Sequence, residues 1–163
     1  VLAGNLELKH MNSTRLLAAL GSDLSAEGEL SARLKLDAKA DRLDSLVEAL
    51  RVGGGFEIKR GAARGFDLIE AARSSGRAAA RGGETKFEQL TGVIQYGQQE
   101  SRLGDLRLTS GLLTAGGNLG IARDGKLSGA MNVELKSSAA VVRMPLAIGG
   151  TAKAPQLTQS RGR

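Results

Sequence analysis

The sequence predicts an α+β fold, an antiparallel β-sheet, twisted and curved, with two or three short helices packed on it. Three observations carry that expectation. Apolar and polar residues alternate strictly over several runs, the period of a strand with one buried face. Gly-containing turn signals stand between successive runs. Three short stretches in the first half set apolar residues at helical spacing behind a Ser or Asp suited to capping.

Along the chain, Leu6 and Leu8 begin an apolar row that His10 continues. Ser13 is placed to cap a helix over Thr14–Leu20, with Leu16, Leu17 and Leu20 on one face. Glu29–Ala40 is the clearest strand: Leu30, Ala32, Leu34, Leu36 and Ala38 share one face, and Arg33, Lys35, Asp37 and Lys39 the other. Asp41 is placed to cap Arg42–Arg51, where Leu43, Leu46, Val47 and Leu50 recur at helical spacing. Phe56 and Ile58 mark the next strand. Asp67, with Glu70 three residues on, then opens a helix over Leu68–Arg73. Residues 1–73 thus read as strand–helix units. Residues 74–84 (SSGRAAARGGE) have almost nothing to bury and read as a flexible loop. Residues 85–155 read as a meander of about five strands, with rows Ile94/Tyr96, Leu106/Leu108, Leu113–Ile121, Leu127–Leu135 and Val142–Ile148. Ser110-Gly111 and Asp124-Gly125 supply turns. Residues 1–155 form one domain on this reading, and 156–163 a disordered tail.

Composition excludes several functions. The 163 residues contain no Cys and one His, which removes disulfide frameworks, Cys/His metal sites and Cys nucleophiles. No metal-ligand cluster, phosphate-binding Gly loop or paired carboxylates suited to acid–base work is present, so neither an enzyme nor a cofactor is expected. No apolar run approaches the roughly 20 residues of a membrane span. The chain begins Val1-Leu2 without Met and reads as a piece of a longer protein. The net charge of +6 is uneven: residues 1–84 carry 13 basic and 12 acidic side chains, residues 85–163 carry 10 and 5. That bias favours anionic partners. Nucleic acid is disfavoured, because four aromatics leave little for base stacking and no nucleic-acid motif occurs.

Four stretches, in order, resemble the C-terminal region of the AsmA family of bacterial envelope proteins. They are residues 54–68 (GGFEIKRGAARGFDL), 85–94 (TKFEQLTGVI), 103–120 (LGDLRLTSGLLTAGGNLG) with Asp124, Gly125 and Leu127 following, and 144–155 (MPLAIGGTAKAP). The resemblance implies a periplasmic domain of a protein anchored in the inner membrane of Gram-negative bacteria. It implies a role in outer-membrane assembly and phospholipid traffic, with curved sheets forming an apolar groove, and other envelope proteins as partners.

Two sets of residues are candidates for contact. The apolar rows offer Leu30, Leu34, Leu36, Leu106, Leu108, Leu113, Leu119, Leu127, Met131, Val133, Leu146 and Ile148. They read either as a groove for the acyl chains of phospholipid or another envelope lipid, or as a plain core under the helices. Arg60, Arg64, Arg143 and Lys153 are candidates for phosphate headgroups, against the reading of a solvated face. A meander has free edges, which makes a dimer by edge-strand pairing a further expectation.

Overall fold

The computed structural model describes residues 1–19, 24–73 and 80–160. Its elements are β1 (Leu2–Asn12), α1 (Ser13–Ala19), β2 (Ser25–Ala38), a 3-10 turn (Leu43–Ser45) and β3 (Arg51–Arg64). Then come α2 (Leu68–Arg73), β4 (Ala80–Arg81), β5 (Glu84–Tyr96), β6 (Glu100–Ser110) and β7 (Leu113–Ala122). The chain ends with β8 (Leu127–Lys136), β9 (Val141–Gly150) and β10 (Pro155–Gln159). All ten strands join one sheet in the order β1-β2-β3-β5-β6-β7-β8-β9-β10-β4. Every pairing is antiparallel. The protein is therefore predominantly β, with two short helices.

The alternating sequence sets the register. One rung carries Leu8, Ala32, Phe56 and Gly92 across β1, β2, β3 and β5. Across β6 to β9 the same level carries Leu106, Gly117, Met131 and Leu146. From Leu8 to Met131 large and small side chains alternate along it, which lets a bent face fill without gaps. Gly117 has to be small: an added Cβ would run into the Ala130 carbonyl oxygen.

The sheet bends until its far end returns to its middle. β4 leads through Gly82 and Gly83 into β5, yet it pairs with β10, five strands away. Gly65, at the end of β3, donates its N–H to the Gly83 carbonyl at 2.8 Å. Its position against the Pro155 ring leaves 3.2 Å for a Cβ. Bulges assist the bend, because an extra residue kinks a strand and raises its twist. Register shifts fall at Leu8/Met11, Glu27/Glu29, Thr91/Val93 and Leu103/Leu106. Among the described residues, the non-glycine residues with positive φ are His10, Arg60 and Asp105, at 51°, 50° and 49°.

The core lies inside this roll and continues onto β2 and β3 with Leu30, Ala32 and Ile58. Leu108, Leu113, Val133, Leu146 and Leu157 are each 3% exposed or less. α2 packs on β5, β8, β9 and β10 and contributes buried Leu68, Ala71 and Ala72. Its start is held as the sequence predicts: the Asp67 carboxylate accepts the Glu70 N–H at 2.9 Å. Thr85 completes the anchor, accepting the Leu68 N–H at 3.0 Å and donating to the Phe66 carbonyl at 2.6 Å.

Five local expectations are corrected. The helix over Arg42–Arg51 does not form; a 3-10 turn without a side-chain cap stands at Leu43–Ser45, and Arg51 pairs with Asp37 as the start of β3. An isolated helix this short is marginal in water, and no sheet face covers Leu43 or Val47. Ser13 does not cap α1: Asn12 Oδ1 accepts the Thr14 N–H at 2.9 Å, while the Ser13 hydroxyl donates to the Ala26 carbonyl at 2.5 Å. Leu20 lies outside the described residues. His10 does not continue the apolar row, because the bulge turns it away and Met11 aligns with Leu30 instead. The loop expected at 74–84 is shorter: β4 and the start of β5 occupy 80, 81 and 84, and residues 74–79 lie outside the described residues. The tail expected at 156–163 begins as a strand, since Leu157 pairs with Ile148 and is 2% exposed; 161–163 lie outside the described residues.

Candidate functional site: the apolar face of the sheet

The apolar face runs from β10 to β1, but its two halves differ. Ten of the twelve apolar candidates are buried: Leu30, Leu106, Leu108, Leu113, Leu119, Leu127, Met131, Val133, Leu146 and Ile148. Nine of these line the roll, where α2 and the facing strands fill the space between them. Leu34 and Leu36 alone are half-exposed, and both lie on β2.

Around them is a patch that the twelve candidates only touch. Leu36 aligns with Gly4, Val52 and Tyr96, and Leu34 aligns with Leu6, Gly54 and Ile94. Leu103 extends the second rung from β6. Leu6 is 39% exposed and Leu2, further along β1, is 50% exposed. Val52, Ile94, Tyr96 and Leu103 are half-buried. Gly4 has open space where a side chain would stand. The connection from β2 to β3 leaves the sheet at this end and exposes Leu43 and Val47. α1 covers the opposite end of β2, with Leu16 packed against the core. The rows Leu6/Leu8, Phe56/Ile58 and Ile94/Tyr96 were legible as strands; which rows stay open depends on where α1, α2 and the roll fall.

The four headgroup candidates do not gather in one place. Arg60 donates to Glu29 at 2.8 Å, Arg64 pairs with Glu27 at 2.5 Å, and Arg143 donates to Glu134 at 2.8 Å. Arg60 and Arg64 share β3, Arg143 stands on β9, and exposed Lys153 follows β9. The Glu29 carboxylate accepts from His10 Nδ1 at 2.6 Å and from Arg60 across three bulged strands. Those two bonds, His10 first, hold its pKa below the ordinary 4.5. Arg143, and more weakly Lys136, do the same for Glu134. A hydrogen bond from Gln89 does so for Glu57.

Among the described residues, no group of three or more His, Asp or Glu side chains is placed to hold a metal ion. Among them, too, no helix is long and apolar enough to cross a membrane. Fold and site together define a predominantly β, single-sheet protein with one filled and one open stretch of apolar face. No family model, curated protein or solved structure matches the chain.

Proposed function

We propose that this chain is a non-enzymatic, periplasmic domain of an inner-membrane-anchored, AsmA-like protein, and that it supports outer-membrane biogenesis by holding phospholipid against an apolar sheet face. The sequence resemblance suggests the setting. The observation that carries the binding role is the pair of half-exposed rungs Gly4–Leu36–Val52–Tyr96 and Leu6–Leu34–Gly54–Ile94. Acyl chains need continuous apolar surface and no directional partner, and each CH₂ removed from water is worth about 0.8 kcal/mol. At about 4.8 Å between strands, the rung from Leu6 to Leu103 crosses five strands and spans roughly 19 Å, comparable with an extended acyl chain. On this reading the roll is a filled end-piece and the first three strands are the contact surface.

Native mass spectrometry with solvent extraction of the purified protein tests this. Phospholipid at fixed stoichiometry, lost in Leu34→Glu and Leu36→Glu variants that melt as the parent does, is the expected result. A ligand-free chain that takes up no fluorescent phospholipid contradicts it. That outcome favours a second reading, a scaffold for envelope proteins that binds no lipid. The observation behind the second reading is β1, whose outer edge has no strand neighbour among the described residues and is open to another strand, including that of a second copy.

A further inference from the structure

We propose that the end of the roll formed by the β6–β7 and β8–β9 connections docks the protein on an anionic phospholipid surface. The inference goes beyond lipid holding by β1–β3 and does not depend on it. The two connections read TSGLL (109–113) and KSSAAVVR (136–143). They lie side by side: Lys136 donates its N–H to the Leu112 carbonyl at 2.9 Å, and Leu113 pairs with Leu135. Elsewhere in the roll, among the described residues, the exposed large apolar side chains are Ile69 and Val93, each at 38%. Here Leu112, Val141 and Val142 are 62%, 52% and 42% exposed. The turn between β8 and β9 is held open-side-out by Ser137, whose N–H donates to the Ala140 carbonyl at 2.8 Å.

Charge selects the partner. The two connections contain no carboxylate, and Lys136 and Arg143 bracket the apolar tip. One carboxylate, Glu134, serves both: Arg143 Nε donates to it at 2.8 Å and Lys136 Nζ lies 3.5 Å away. Glu88 stands at the rim, accepting the Gly111 N–H at 3.3 Å. Beside the tip, the outer face of β6–β9 holds a depression of about 480 Å³ whose walls carry Arg107 and Arg143 together with Glu134, Asn132 and the apolar Met144 and Pro145. An apolar tip between long cationic side chains matches a bilayer edge, where stems lie along acyl chains and charged heads meet phosphate. The +5 balance of residues 85–163 acts in the same direction.

Co-sedimentation with vesicles tests the proposal, comparing phosphatidylcholine alone with phosphatidylcholine mixed with phosphatidylglycerol. The protein is expected to partition onto the mixed vesicles. Leu112→Asp with Val141→Asp should cut that partition about tenfold or more. Lys136→Gln and Arg143→Gln should each cut it about fivefold, with a weaker salt dependence. The chain has no cysteine, so Leu112→Cys carries an environment-sensitive dye at one place. Its emission should shift to the blue on mixed vesicles, and a dye on Ala130→Cys, on the exposed outer face, should not. Equal partition onto both vesicles, binding that survives the double aspartate substitution, or an unshifted dye on Leu112→Cys overturns the proposal. So does a tip that captures a purified protein and leaves vesicles unbound. Leu34→Glu is expected to keep vesicle binding, which separates this surface from the open rungs.

Discussion

The roll (β5–β10 with β4 and α2) and the wing (β1–β3 with α1) share one sheet and one alternating pattern, but they spend their apolar faces differently. In the roll, Leu113, Leu146 and Leu157 are 1%, 1% and 2% exposed, because facing strands and α2 meet over them. In the wing, Leu2 and Leu6 are 50% and 39% exposed, and Leu34, Leu36 and Val52 are half-exposed. The same residue types thus form a core in one place and a surface in the other. What decides is cover: the inner face is buried where the sheet returns to itself and at the α1 end of β2 and β3, where Leu30, Ala32 and Ile58 join the core, and it stays open at the other end of the wing.

Substitutions should separate the halves by size of effect. Leu113→Ala or Leu146→Ala is expected to cost about 3 kcal/mol, since each leaves a cavity in a closed core. Leu34→Ala and Leu36→Ala should each cost less than about 1 kcal/mol, as side chains already partly in water. Urea unfolding measures both. Equal costs would break the comparison. Next in size, Leu157→Ala should lower stability by about 2 kcal/mol and speed proteolysis between β4 and β5, because β10 closes the roll. A neutral result would mean that closure contributes little. Hydrogen exchange gives a third contrast: amides of β1 should exchange well before those of β7 and β8, which have a neighbour on each side.

Acid sharpens the comparison most gently. Glu29 in the wing and Glu134 in the roll both have carboxyl pKa values held below 4.5, by His10 then Arg60 and by Arg143 then Lys136. A depressed folded value stabilises the protein above the unfolded one, and that contribution fades as pH falls through the folded value. Stability should therefore decline below about pH 4.5. Glu29→Gln should flatten the decline at β1, and Glu134→Gln at β9. Both are small effects, because the pairs are solvated.

Much of the fold was legible. The alternating rows give β2 and β5 to β9 directly, Ser110-Gly111 and Asp124-Gly125 give their turns, and Asp67 with Glu70 gives the start of α2. Three features escaped because they depend on partners distant in sequence. Leu157 is the one apolar residue of a polar tail, and only Ile148 opposite it makes a strand there. Leu43 and Val47 have helical spacing but nothing to pack on. His10 has the parity of an apolar row, which the bulge after Leu8 breaks. The site was legible as a face and not as a location. Alternation marks Leu34 and Leu146 alike, and only the roll distinguishes them.

The most direct test of the wing as the lipid-contact surface is photo-crosslinking with a phospholipid that carries a diazirine in its acyl chain, mapped by peptide mass spectrometry. Crosslinks on peptides bearing Leu6, Leu34, Leu36 and Val52, and none on those bearing Leu113, Val133 or Leu146, are the predicted result. Crosslinks inside the roll, or none on the wing at saturating lipid, would contradict the account.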